Sequence, residues 1–138
     1  MSFLLDTNVV SEVARARPDK AVLAWFDAVP DQQLYLSVLS VGEIRKGVDK
    51  LPAGKRRTEL VTWLEEALPA WFGPRLLPID IAVAERWGRL LAASPRSLPA
   101  IDSLLAATAL THNLSLVTRN GADFDVPGLE VVNPWIAQ

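Results

Sequence analysis

Three acidic residues of this 138-residue chain fall where an α/β protein places reacting groups: Asp6, Glu43 and Asp102. Asp6 ends a short apolar run, Ser2 to Leu5. Glu43 follows a second run, Leu34-Tyr35-Leu36, in what reads as the first turn of a helix. Asp102 opens a helical stretch that precedes a late strand. Ligands of open parallel sheets gather beyond the carboxyl ends of the strands. Carboxylates brought together there repel one another, so a cluster of them calls for a cation. Cysteine is absent and histidine occurs once, at His112. Disulfides, thiolate zinc sites and catalytic cysteine are thereby excluded, and any metal must be held mainly by oxygen. Oxygen donors select hard ions such as Mg²⁺ or Mn²⁺. His112 stands at the apparent end of a helix, where a polar ring suits the dipole.

Each acid also has an ordinary structural explanation. Asp6 can cap the helix that follows, as can Asn8. Ser40-Val41-Gly42-Glu43 fits a capping box, with Ser40 at the cap. Asp102 can complement the positive end of its helix. The chemical reading therefore rests on the set rather than on one member.

The elements that would position the set alternate strand and helix. Strands are expected at Ser2–Leu5, Leu34–Leu36, Leu76–Ile79 and Leu114–Thr118, with a fifth at Glu130–Val132. Helices are expected from Asn8 to Arg15, from Lys20 to Ala28, from Ser40 onward, from Lys55 to Trp71 and from Asp80 to Ala93. Asp80 reads as an N-cap, and Pro99 sits in the first turn of a last helix. This order predicts an α/β fold, a central mostly parallel sheet of four to five strands flanked by helices on both faces. Half the residues are hydrophobic, and no linker or repeat interrupts the chain, so a single domain spanning 1–138 is expected. No apolar run is long enough to cross a membrane, and Asp6 arrives too early for a secretory leader, so a cytoplasmic protein is expected. The formal net charge of −2 argues against binding nucleic acid through an overall field. Any such contact must be local or made by a partner.

The motifs then match a known family. Phe3-Leu4-Leu5-Asp6-Thr7-Asn8-Val9-Val10-Ser11-Glu12, Ser37-Val38-Leu39-Ser40-Val41-Gly42-Glu43-Ile44-Arg45, Asp102-Ser103-Leu104-Leu105-Ala106-Ala107-Thr108-Ala109 and Leu116-Val117-Thr118-Arg119-Asn120 resemble, in order, the four motifs of PIN-domain proteins. Within that family the chain looks most like VapC-type toxins, and Val132-Asn133-Pro134-Trp135 is similar to the ending of the FitB subgroup. The resemblance implies a three-layer fold and an acidic pocket that binds Mg²⁺ or Mn²⁺. It implies cleavage of RNA, restrained by an antitoxin of the VapB or FitA type seated in a separate groove. DNA would be met only through that antitoxin. Carried over by position, Asp6 and Asp102 are direct metal ligands, Glu43 a ligand directly or through water, and Thr118 and Asn8 supporting groups. One departure stands out: many relatives carry an acid where this chain has Asn120, and Asp123 could supply the missing charge.

Two further expectations come from the residues themselves. Lys46, Lys50, Lys55, Arg56 and Arg57 bracket a turn between helices and form a candidate rim for RNA phosphates. Leu60, Trp63, Leu64, Leu68, Trp71 and Phe72 make a broad apolar surface on the long helix, which suggests a homodimer. A phosphotransfer enzyme of the haloacid-dehalogenase kind would need a second Asp at the position of Asn8. A non-catalytic binding module working beside a DNA-binding antitoxin is the stronger rival.

Overall fold

The computed structural model describes residues 1–136. Five strands form one parallel sheet: β1 (Phe3–Leu5), β2 (Leu34–Ser37), β3 (Leu76–Leu77), β4 (Ser115–Val117) and β5 (Val131–Val132). Their spatial order is β3-β2-β1-β4-β5. β1 lies centrally, with Leu5 opposite Leu36 on one side and Val117 on the other. The chain order of the strands reverses about β1, which opens a crevice at the carboxyl edge beside Asp6.

Side chains alternate across the sheet, and each face has its own core. Phe3, Leu5, Leu34, Leu36 and Val117 point into a cluster with Ile44, Val48, Leu64, Leu68 and Phe72. Leu4 and Leu116 point the other way, into a cluster with Leu105, Ala106, Ala109 and Phe124. The helices on the first face are α1 (Thr7–Glu12), α2 (Lys20–Ala28), α3 (Val38–Asp49), α4 (Lys55–Thr62) and α5 (Leu68–Phe72). The second face carries α7 (Ala100–Thr111), against which α6 (Ile81–Ala93) packs. The expected three-layer arrangement is what forms, with every strand pair parallel.

The long helix expected from Lys55 to Trp71 contains one wide turn, Trp63–Ala67, where the Leu68 N–H reaches back to the Trp63 carbonyl. Pro69 explains it. Proline has no N–H to offer the Glu65 carbonyl and its ring would crowd that oxygen, so the ladder opens by one residue. The apolar stripe on this helix is not a free surface. Leu64, Leu68 and Phe72 are buried, and Leu60, Trp63 and Trp71 pack against the same core. Phe3, Trp25, Phe26, Trp71 and Phe72 form a run of ring contacts with centroids 4.6 to 5.7 Å apart. The stripe therefore supplies no argument for pairing two copies.

Candidate acidic active site

β1 delivers Asp6 to the carboxyl edge of the sheet, where its backbone N–H continues the ladder to the Val117 carbonyl at 2.8 Å. Asp6 is also the N-cap of α1, its Oδ1 accepting from the Thr7 N–H at 2.7 Å. The neighbouring strand β4 brings Thr118, whose hydroxyl donates to Asp6 Oδ2 at 2.7 Å. Both residues are buried. Asn8 lies inside α1 rather than at its cap. Its Oδ1 accepts from the Arg119 N–H at 3.4 Å and ties the start of α1 to the end of β4.

Glu43 arrives differently from expectation. β2 runs into α3 without a loop, and Ser37 is the cap, its Oγ accepting from the Leu39 N–H at 3.1 Å. The capping box on Ser40 does not form, and Glu43 stands in the second turn of α3. Ser40 is buried instead. Thr7 Oγ1 lies 2.6 Å from Glu43 Oε1 and 2.9 Å from Ser40 Oγ. A hydroxyl has one proton, so Thr7 donates to the carboxylate and accepts from Ser40. This brace fixes the outward-facing Glu43 to the residue that follows Asp6.

Asp102 sits in the first turn of α7, half-buried, and among the described residues its carboxylate has no hydrogen-bond partner. The helix start is pinned by Ser103, which accepts from the Trp87 indole N–H at 2.8 Å and donates to the Ala100 carbonyl. Asn120 precedes a 3₁₀ turn, Gly121–Phe124. Its N–H donates to Thr118 Oγ1 at 3.1 Å and its carbonyl accepts from the Asp123 N–H at 3.0 Å. The turn carries Asp123 into the electrostatic range of the other acids.

The charges respond accordingly. Burial pushes the Asp6 carboxyl above its ordinary value; the bonds from Thr118 and Thr7 oppose that rise, and the charges of Glu43 and Asp123 reinforce it. Asp102 is also raised, by desolvation first and then by Asp6, Asp123 and Glu43. Asp6 and Asp102 thus both feel the charges of Glu43 and Asp123, which come from two further segments. Among the described residues, no three acids or histidines stand ready to grip a single ion. The donor set still fits a hard cation. It is all oxygen and mutually repelling, and Asp6 has spent two of about four acceptor sites on Thr7 and Thr118. The fit is to an ion that keeps several waters, as Mg²⁺ does.

A 280 Å³ groove runs from Thr7 and Glu43 over Ile44, Leu60 and Trp63 to Arg15 and Arg56. Of the expected basic rim, only Arg56 lines this groove. It donates to the Ala14 carbonyl and lies 3.9 Å from Glu59, as Lys55 does. Lys46, Lys50 and Arg57 make no ion pair among the described residues. A larger groove of 480 Å³, between α6 and residues 125–127, contains none of the four acids. His112 is the C-cap of α7, as its position suggested. Sequence reasoning passed over Thr7, Ser40 and Arg119 as site residues; Thr7 and Arg119, each directly following a residue of the set, were the available signal.

The PIN domain family model matches residues 3–128. The chain belongs to the PIN-domain family. It is 45% identical over 136 residues to the VapC ribonuclease Y4jK of Sinorhizobium fredii, covering 96% of each chain. It is 37% identical over 135 residues to toxin FitB of Neisseria gonorrhoeae, covering 96% of this chain and 97% of that one. The crystal structure of FitAcB from Neisseria gonorrhoeae superposes with a TM-score of 0.89 at 36% identity, covering 98% of this chain and 99% of that chain. A related structure holds FitAB bound to an IR36 DNA fragment, with the same TM-score at 34% identity, covering 99% of this chain and 97% of that chain.

Proposed function

We propose that this chain, as a single PIN domain, is a metal-dependent endoribonuclease and the toxin of a toxin–antitoxin pair. The observation that carries the reading is the convergence of Asp6, Glu43, Asp102 and Asp123 at the switch point of the sheet, with Asp6 and Asp102 both held above the ordinary carboxylate value. The names of the relatives, a VapC ribonuclease and a FitB toxin, support it.

In this reading Asp6 and Asp102 hold Mg²⁺ or Mn²⁺, Glu43 directly or through water, with Asp123 supplying the charge absent at Asn120. Such an ion, when bound, lowers the pKa of a water and offsets charge developing on the phosphate. The chain's own residues do the rest. Thr118 and the Thr7 N–H hold the Asp6 carboxylate in one orientation. Glu43, steadied by Thr7, accepts the proton from the attacking water. The groove between the acids and Arg56 receives the C-terminal segment of an antitoxin of the VapB or FitA type, and DNA is reached through that partner. In this reading the protein works in the cytoplasm as a homodimer, paired through a surface other than the Leu60–Phe72 stripe.

RNA cleavage by the partner-free protein, with and without Mg²⁺ or Mn²⁺, tests the reading beside Asp6→Asn and Asp102→Asn. Metal-dependent cutting lost in both variants is expected. Metal-independent cutting, or cutting retained in both, would refute it. A second reading, a binding module with little activity, is favoured by Asn120 at the fourth motif. Metal binding without cleavage of a broad RNA panel would select it.

A further inference from the structure

Arg119 joins the acid site through its backbone and not through its side chain. It follows Thr118 directly, and its backbone is fixed on both sides: the N–H donates to Asn8 Oδ1, and the carbonyl accepts from Asn133 Nδ2 at 3.4 Å. Asn133 Oδ1 in turn accepts from the Trp135 N–H at 2.9 Å. That turn lays the half-buried Trp135 ring, itself packed on the first core, under the arginine. The guanidinium carbon lies 5.0 Å from the ring centroid. Among the described residues no carboxylate pairs with Arg119 and no acceptor takes its side-chain N–H groups. Its exposed side chain forms no ion pair with any of the four acids. Here the ring holds it in place instead.

A guanidinium stacked on an aromatic face keeps its planar fork of donors directed outward, and part of the entropy cost of binding is already met. That fork matches a phosphate bidentately. The acid cluster repels a polyanion, so a strand reaching it needs a cationic hold on the same edge of the sheet. We propose that Arg119, positioned by Trp135, binds a backbone phosphate of the RNA strand that the acids cut. The inference rests on the ribonuclease reading and adds to it the point at which the strand is gripped. Trp135 is a positioning residue: its ring is covered by the guanidinium and is not itself a stacking platform for a base.

The test uses the full chain and its Arg119→Ala, Arg119→Lys, Trp135→Leu and Trp135→Phe variants. Cleavage kinetics are measured on a fluorescein-labelled single-stranded RNA, and binding of the same RNA is measured in EDTA across a salt series. Arg119→Ala raises KM about ten- to a hundredfold, the scale of a lost charge-assisted bond, with kcat essentially unchanged. Its plot of log affinity against log salt becomes shallower by about 0.7, the value for one phosphate contact on a single strand. Arg119→Lys keeps the wild-type salt slope but binds more weakly, because the fork is gone. Trp135→Leu also keeps the slope and raises KM, and Trp135→Phe, which retains a ring, restores most of the loss.

An Arg119→Ala variant with the KM and salt slope of the wild type overturns the proposal. So does a fall in kcat at constant KM, which would put Arg119 in the chemistry rather than the grip. Wild-type KM in Trp135→Leu overturns the positioning role. If the wild-type chain neither binds nor cuts RNA, the ribonuclease reading fails and this one with it; if it does both and Arg119→Ala matches it, only this one fails.

Discussion

Replacing Thr118 by Val removes one hydroxyl at nearly constant volume, leaves Asp6 Oδ2 without its donor, and frees the N–H of the exposed Asn120 to turn to water. The bond is 2.7 Å long, both residues are buried, and Asp6 is 8% exposed, so water cannot readily take the vacated place. A buried hydrogen bond to a charged group contributes ~1.5–3 kcal/mol. Unfolding entropy of about 2.1 cal/mol/K per residue over 138 residues gives about 0.29 kcal/mol/K. The melting temperature should therefore fall by about 5–10 °C at neutral pH. The loss must depend on pH. Burial already holds the Asp6 carboxyl above 3.8, so between 3.8 and its native value the folded state binds more protons than the unfolded state, and stability declines as pH rises. Thr118 restrains that rise; without it the window extends to higher pH. The deficit of Thr118→Val is thus full above the variant's Asp6 pKa. It shrinks as pH falls below that value and reaches the ~0.5–1.5 kcal/mol of a neutral bond below the wild-type Asp6 pKa. Urea titrations at several pH values, in wild-type and Asp6→Asn backgrounds, measure the effect. A deficit independent of pH, or equally large when residue 6 is Asn, would refute the claim that Thr118 acts on the Asp6 charge.

Three other expectations concern the acids and the basic turn at the start of α4. In metal-free protein at neutral pH, Asp6→Asn should stabilise the fold, because it removes a carboxylate that burial and neighbouring acids disfavour; the gain should vanish as pH falls toward 3.8. With Mg²⁺ or Mn²⁺ at a hundred times its Kd, wild type should gain about 2.7 kcal/mol that the variant lacks; thermal melts with and without EDTA decide both. Charge reversal at Lys55 and Arg56 should weaken binding of single-stranded RNA and flatten its salt dependence. Unchanged binding would leave that turn as a solvated surface whose charges are met by Glu59.

The framework was legible because its signals are local. Each apolar run that ends abruptly at an acid or a cap residue became a strand, and the alternation with helices fixed a parallel sheet. Asp80 capped α6 as its position suggested, accepting from the Val83 N–H. Boundaries failed where the deciding contact is distant or depends on one missing atom. Ser37 and Ser40 are both plausible caps by type; β2 continues straight into α3, so the earlier serine caps and the later one is buried against Thr7. The wide turn at Trp63 depends on the N–H that Pro69 lacks, which periodicity does not register. The stripe from Leu60 to Phe72 looked too broad for one small core because α2, with Trp25 and Phe26, could not be placed against the same face.

The site was legible as a set of acids and illegible as a set of supports, and the difference is physical. Negative charge at strand ends can be counted from residue types, but the hydroxyls that make it tolerable belong to elements far apart in sequence: Thr118 lies 112 residues from Asp6, and Ser40 lies 33 from Thr7. Those supports also divide the acids into unlike members. Asp6 is buried and held at both oxygens, which suits a fixed ligand. Asp102 is half-buried with its lone pairs unspent, which suits a second ligand on the opposite wall. Glu43 is exposed and held at one oxygen by a hydroxyl, which leaves the other oxygen open to solvent and to a proton. A structural capping role would require none of this asymmetry, since a cap needs only its own helix. It is the bonds running between elements, rather than the acids themselves, that distinguish this candidate site from three independent helix caps.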